Sequence, residues 1–105
     1  MRALPLIAMI FILLACTTAP AAWRADQPSV LVFSATEGFR HASIKAGRKA
    51  LLQLGDENGF TVVLSEEASD FTDESLARFA VVVFLNTTGN ILDGPQKQAF
   101  ERYIQ

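Results

Sequence analysis

Residues 29–44 read Ser-Val-Leu-Val-Phe-Ser-Ala-Thr-Glu-Gly-Phe-Arg-His-Ala-Ser-Ile. The first six form a short apolar run rich in β-branched residues, the pattern of a parallel strand covered on both faces. From Ser43 onward the period changes. Ile44, Gly47, Leu51, Leu52 and Leu54 recur at helical spacing, with Lys45, Arg48, Lys49 and Gln53 on the other side. Ser43 is the expected cap of that helix, and Gly55 or Gly59 its end. A strand that passes through a polar turn into a helix is the first half of a β-α-β unit, so the chain reads as α/β.

The segments downstream repeat the unit. Phe60 to Leu64 is a second apolar strand, followed by the acidic stretch Ser65 to Asp70, read as a solvated loop. Thr72 is a good N-cap, Asp73 and Glu74 suit the positive end of a helix dipole, and Phe71 and Leu76 stand at the positions of a hydrophobic staple. That short helix is expected to run to about Phe79. Ala80 to Leu85 has no polar side-chain atom and is the strongest strand signal, expected inside a sheet and not at its edge. Asn86 to Asn90 is a polar turn, and Asp93 with Gln96 forms a capping-box pattern before a helix carrying Ala99, Phe100, Tyr103 and Ile104.

Three β-α units in a row imply a parallel sheet with right-handed crossovers and strand order 2-1-3. The sequence given stops at Gln105, with no residue to close the last helix and no strand to lie beside the third. The expectation is an N-terminal fragment of a longer fold, truncated after its third β-α unit.

Upstream, Met1-Arg2 and the apolar run Leu4 to Ala15 form a signal-peptide pattern too short to span a bilayer comfortably. Two processing sites compete. Leu13-Leu14-Ala15-Cys16 resembles a lipobox that would leave Cys16 lipidated, and Ala19-Pro20-Ala21 fits ordinary cleavage. The division expected is a signal peptide over 1–22, a linker over 23–28 and the domain over 29–105. Either cleavage exports the mature chain to a periplasmic or extracellular location, with possible membrane attachment through Cys16.

A single cysteine forms no internal disulfide, so stability must come from the core of a domain of roughly eighty residues, near the lower limit for one. Nine basic residues against eleven acidic ones make the chain mildly acidic, and no basic cluster stands out in the sequence. This argues against nucleic acid as a partner and for a small neutral ligand.

In a 2-1-3 sheet a crevice opens at the carboxyl ends of strands one and three, where doubly wound folds bind ligands. The loops there are Ala35 to Ala42 and Asn86 to Asn90. Between them they offer the only histidine of the chain, His41, for proton transfer, Arg40 for anionic groups, Glu37 as a carboxylate, and the hydroxyls of Thr36, Ser43, Thr87 and Thr88. Such a set suits a polyhydroxylated ligand, for which Phe39 is a candidate apolar platform. No serine or cysteine sits in a recognisable nucleophile elbow, and a metal would need more ligands than Glu37 and Asp93 add, so no metal is assigned and the cofactor is unknown. Each residue also has a plainer reading. His41 is then a helix-start residue facing solvent, Arg40 the partner of Glu37 or another surface acid, Phe39 a loop or core anchor, and Gly89 a turn residue at positive φ.

The segments Val-Leu-Val-Phe-Ser, Gly-Phe-Arg-His-Ala-Ser-Ile, Phe-Thr-Asp-Glu-Ser-Leu, Val-Val-Val-Phe-Leu-Asn-Thr-Thr-Gly and Gln-Ala-Phe-Glu-Arg-Tyr-Ile together resemble the start of a ThuA-like (trehalose utilisation) domain. The resemblance covers the chain from Ser29 onward, and Phe39 to Ile44 with Thr87 to Gly89 are its most specific parts. It implies a class I glutamine amidotransferase-like, flavodoxin-like fold and an association with trehalose and related disaccharide metabolism through keto-sugar intermediates. Carried over, it implies His41 and Arg40 as site residues beside the first strand, with Thr87, Thr88 and Gly89 lining the wall after the third. It also implies later segments, a glycine-rich turn, a core strand and a Gly-x-His element, which the sequence given does not include. Whether this chain is itself an enzyme is therefore left open, beside two other readings: a noncatalytic carbohydrate-binding lipoprotein and a nonfunctional fragment.

Overall fold

A computed structural model describes residues 26–105. The proposed signal segment, Cys16 and most of the linker lie outside the described residues. Three strands, β1 (Ser29–Phe33), β2 (Thr61–Ser65) and β3 (Val81–Phe84), form a parallel sheet in the order β2-β1-β3. Three α-helices connect or follow them: α1 (Ser43–Asn58), α2 (Asp73–Leu76) and α3 (Gly94–Ile104). This is the open α/β, flavodoxin-like arrangement expected from the sequence.

Strand β1 is central because both its edges are paired. Val30 stands opposite Val62 on one side and Val81 on the other, and Phe33 opposite Ser65 and Phe84. Leu31, Val32, Phe33 and Ser34 are accordingly buried completely. The alternation of the strand sorts these residues between two faces. Leu31 and Phe33 enter a cluster with Phe71, Leu76, Phe79, Leu92 and Ala99, which places α2 and α3 on that side. Val32 is buried outside the cluster, as is Ile44 of α1, and the Leu85 side chain reaches Gly47 of α1.

Strand β3 departs from expectation. It forms an edge of the described sheet, with Val81 and Phe84 49% and 39% exposed. The run Ala80 to Leu85 is apolar enough for an interior strand, but the order 2-1-3 gives two partners only to β1.

Local signals account for most helix ends. Thr72 caps α2 by accepting from the Ser75 amide at 3.1 Å, and the staple residues Phe71 and Leu76 are both buried. Helix α2 ends at Leu76, short of Phe79, and the chain leaves it through turns. Asp93 and Gln96 complete a reciprocal capping box on α3, each contact 2.8 Å. Helix α1 is closed by Gly59 in the left-handed region, its amide bonding the Gly55 carbonyl, while Gly55 lies inside the helix.

Two readings need correction. The N-cap of α1 is Ala42, which makes no side-chain cap, and Ser43 is already helical. The segment after β2 is also more ordered than a solvated loop. Ser65 completes β2 and donates its hydroxyl to Asp70, and Ala68–Asp70 form a 3-10 turn.

Candidate functional site

The carboxyl ends of β1 and β3 open into the loops that carry the expected site residues, and those loops are fastened to each other. Thr36 and Thr88 form a parallel bridge that prolongs the β1–β3 pairing past the end of the sheet. The Glu37 amide donates to the Thr88 carbonyl at 2.8 Å, and the Thr88 hydroxyl donates to the Phe39 carbonyl. Asn86, at φ 48°, donates its side-chain amide to the Ser43 hydroxyl at 2.6 Å. Ser43 thus ties the start of α1 to the turn after β3 instead of capping its own helix.

Gly89 is required by the same closeness. At φ 77° it lies in the left-handed region, and a Cβ there would stand 2.5 Å from the Glu37 carbonyl oxygen. Any side chain would push the two loops apart, so the glycine serves a close approach as well as a turn.

The fastened loops bring Phe39, His41, Ser43, Thr87 and Thr88 to one end of the sheet. His41 is exposed, and its ring meets that of Phe39 edge-on at 4.8 Å. Phe39 is 68% exposed, so it is not a core anchor and its ring is open to a ligand. Thr87 and Thr88 are half-buried, and Thr88 spends its hydroxyl hydrogen on the Phe39 carbonyl.

Arg40 points to a different set of partners. Its guanidinium pairs with Glu66, not with Glu37, and Arg48 approaches the same carboxylate at 3.8 Å. All three side chains are partly exposed, so these pairs add little to stability; they fix the position of Arg40 relative to the end of β2.

Several polar residues at this end of the sheet escaped the sequence reading. Ser34 follows β1 directly and is fully buried, with no hydrogen-bond partner for its hydroxyl among the described residues. Its only signal in the sequence is a polar residue closing an apolar run. Glu66 was assigned to a loop, although it gathers two arginines. Lys45, Arg48 and Lys49 fall on the polar side of α1 by their spacing, yet with Arg40 they line one hollow. The chain therefore has a basic cluster that composition concealed. Among the described residues, no three His, Cys, Asp or Glu side chains gather in a group that could hold a metal ion.

An open parallel sheet in the order 2-1-3 with helices between its strands defines the class: a flavodoxin-like α/β domain. The family model for ThuA, trehalose utilisation, matches residues 29–105, and the chain belongs to that family. Comparison with curated proteins and with solved structures found no match.

Proposed function

We propose that the chain is part of an exported carbohydrate-processing protein, acting on trehalose or a related disaccharide in its oxidised keto form. The crevice between Gly38–Ile44 and Asn86–Asn90 is its sugar site. The observation that carries this reading is the Thr36–Thr88 bridge with its flanking hydrogen bonds, which holds the only histidine beside two threonines and an exposed aromatic ring. Sugar hydroxyls require donors and acceptors in close alternation, and their C–H faces pack on aromatic rings. In this role His41 gives or takes the proton at the reacting carbon, Thr87 and Thr88 orient hydroxyls, Phe39 supplies the platform, and Ser43 and Gly89 keep the loops in place. Arg40 faces anionic or oxyanionic groups from the rim.

The exposed Phe39 ring favours a second reading, a noncatalytic carbohydrate-binding lipoprotein that uses the same crevice. His41→Ala separates the two. Catalysis predicts that turnover of the keto-disaccharide falls by at least about a hundredfold while its affinity stays within a few-fold. Equal loss of affinity with no turnover in either protein supports binding alone. Export and anchoring are tested by palmitate-analogue labelling: incorporation that vanishes in Cys16→Ser supports a lipid anchor, and its absence from the wild type removes it.

A further inference from the structure

Beside the crevice lies a hollow of about 540 Å³, lined by Arg40, Lys45, Arg48, Lys49, Leu52 and Leu64. We propose that this hollow binds a phosphorylated small molecule, with a phosphomonoester held by the basic side chains and the carbon skeleton on the two leucines.

The charge balance is the first argument. Four basic residues line the hollow, and among the described residues Glu66 is the one carboxylate paired with any of them. Among the described residues, Lys45 and Lys49 enter no ion pair. In a chain with more acids than bases, gathering four of its nine basic residues around one acid concentrates positive potential there. The arrangement follows from the helix. Lys45, Arg48 and Lys49 stand at i, i+3 and i+4 and share a face of α1, and Arg40 joins them from the turn that leads into it.

The second argument is the donor geometry. The Nε of Arg48 is buried and has no hydrogen-bond partner among the described residues, while another nitrogen of the same guanidinium reaches Glu66 only at 3.8 Å. That nitrogen is shielded from the hollow, so an incoming anionic oxygen meets the outer nitrogens of the guanidinium, which Glu66 at 3.8 Å leaves without a close acceptor. A phosphomonoester carries close to two negative charges at neutral pH and three acceptor oxygens, enough for one guanidinium and two ammonium groups at once. A carboxylate has one charge and two oxygens, a poorer match to this number of donors.

The third argument is the apolar part. Leu52 is 42% exposed and, with Leu64, offers the hollow an aliphatic surface that a purely ionic site has no use for. The hollow is wide enough for a small molecule and open to solvent on one side. A sugar phosphate fits this description: a charged ester, polar hydroxyls toward water and a C–H face for the leucines. Only Arg40 is common to the hollow and the crevice, so the inference stands whether or not the crevice takes a disaccharide.

The test is calorimetric titration of the full chain with glucose 6-phosphate at low salt, in parallel with glucose, glucuronate and inorganic phosphate. Saturable binding of glucose 6-phosphate, weaker binding of inorganic phosphate and glucuronate, none of glucose, and an affinity that falls with added salt are expected. The double variant K45Q/K49Q, both positions being exposed on α1, should bind at least about tenfold more weakly. Arg78→Gln, which removes a cation from outside the hollow, should leave the affinity unchanged. Amide chemical shifts of the wild-type chain provide a readout independent of any variant: the largest changes should fall on residues 45–52. Full affinity in K45Q/K49Q, shift changes confined to other elements, or no saturable binding would each overturn the proposal. Vesicles of phosphatidylglycerol form the last arm. Their capture by a chain that ignores glucose 6-phosphate would mean that the basic face serves a membrane surface, and the small-molecule site would be withdrawn.

Discussion

On the face of the sheet that carries α2 and α3, Phe33, Phe71, Phe84 and Phe100 interlock with ring centroids 4.8 to 6.0 Å apart. Tyr103 extends this packing, and its hydroxyl is satisfied by the Phe79 carbonyl at 2.8 Å. The opposite face, beneath α1, is built from smaller side chains, Val32, Ile44 and Gly47. At the carboxyl end of that side the Ser34 hydroxyl and the Arg48 Nε are buried without hydrogen-bond partners among the described residues. One face concentrates dispersion and hydrophobic burial; the other tolerates unsatisfied polar groups next to the crevice and the basic hollow. Polar atoms that are expensive in a core are expected where a ligand completes them.

Substitutions on the two faces should therefore differ in size and even in sign. The largest effect is expected for Phe71→Ala, which empties the centre of the aromatic cluster. A loss of about 3–5 kcal/mol would match much of the whole stability of so small a domain. Urea denaturation followed by circular dichroism would record it, and a loss under about 1 kcal/mol would break the assignment of stability to this face. Gly89→Ala comes next, at about 2 kcal/mol, since it adds a strained backbone and a collision with the Glu37 carbonyl. The Glu37 amide, now bonded to Thr88, should lose hydrogen-exchange protection in that variant. Thr72→Ala removes the cap of α2 and should cost about 1 kcal/mol, measured in the same way. The smallest effect sharpens the comparison most. Ser34→Ala deletes a buried hydroxyl that has no partner among the described residues, so stability should stay level or rise by up to about 1 kcal/mol. A clear loss would show that Ser34 is satisfied and that the contrast between the faces is overstated.

What was legible in the sequence was local. The apolar runs of β1 and β3 declare strands through composition alone, though only β1 is buried, and from the order of elements the 2-1-3 sheet follows. Thr72 with its staple and Asp93 with Gln96 span at most six residues, so the pattern and the contact coincide. What was not legible depends on partners distant in the chain. Ser43 looks like a cap because helix starts favour serine, but Asn86, which claims its hydroxyl, is known as a neighbour only once β1 and β3 are paired. Arg40 was expected beside Glu37 or another surface acid, and the acid is Glu66, brought near by the β1–β2 register. The basic hollow was hidden because its four cations are diluted by acids elsewhere in the chain. The meeting of the two loops was readable from topology; the bridge that fixes their spacing was not.

The central claim is that Gly38–Ile44 and Asn86–Asn90 act as a single disaccharide site. Titration of the full chain with trehalose and with its keto derivative, followed by amide chemical shifts, tests it most directly. The account predicts that residues of both loops shift together and saturate with one dissociation constant, the keto sugar binding the tighter. Shifts confined to one loop, different constants for the two, or no saturable change in either would contradict it.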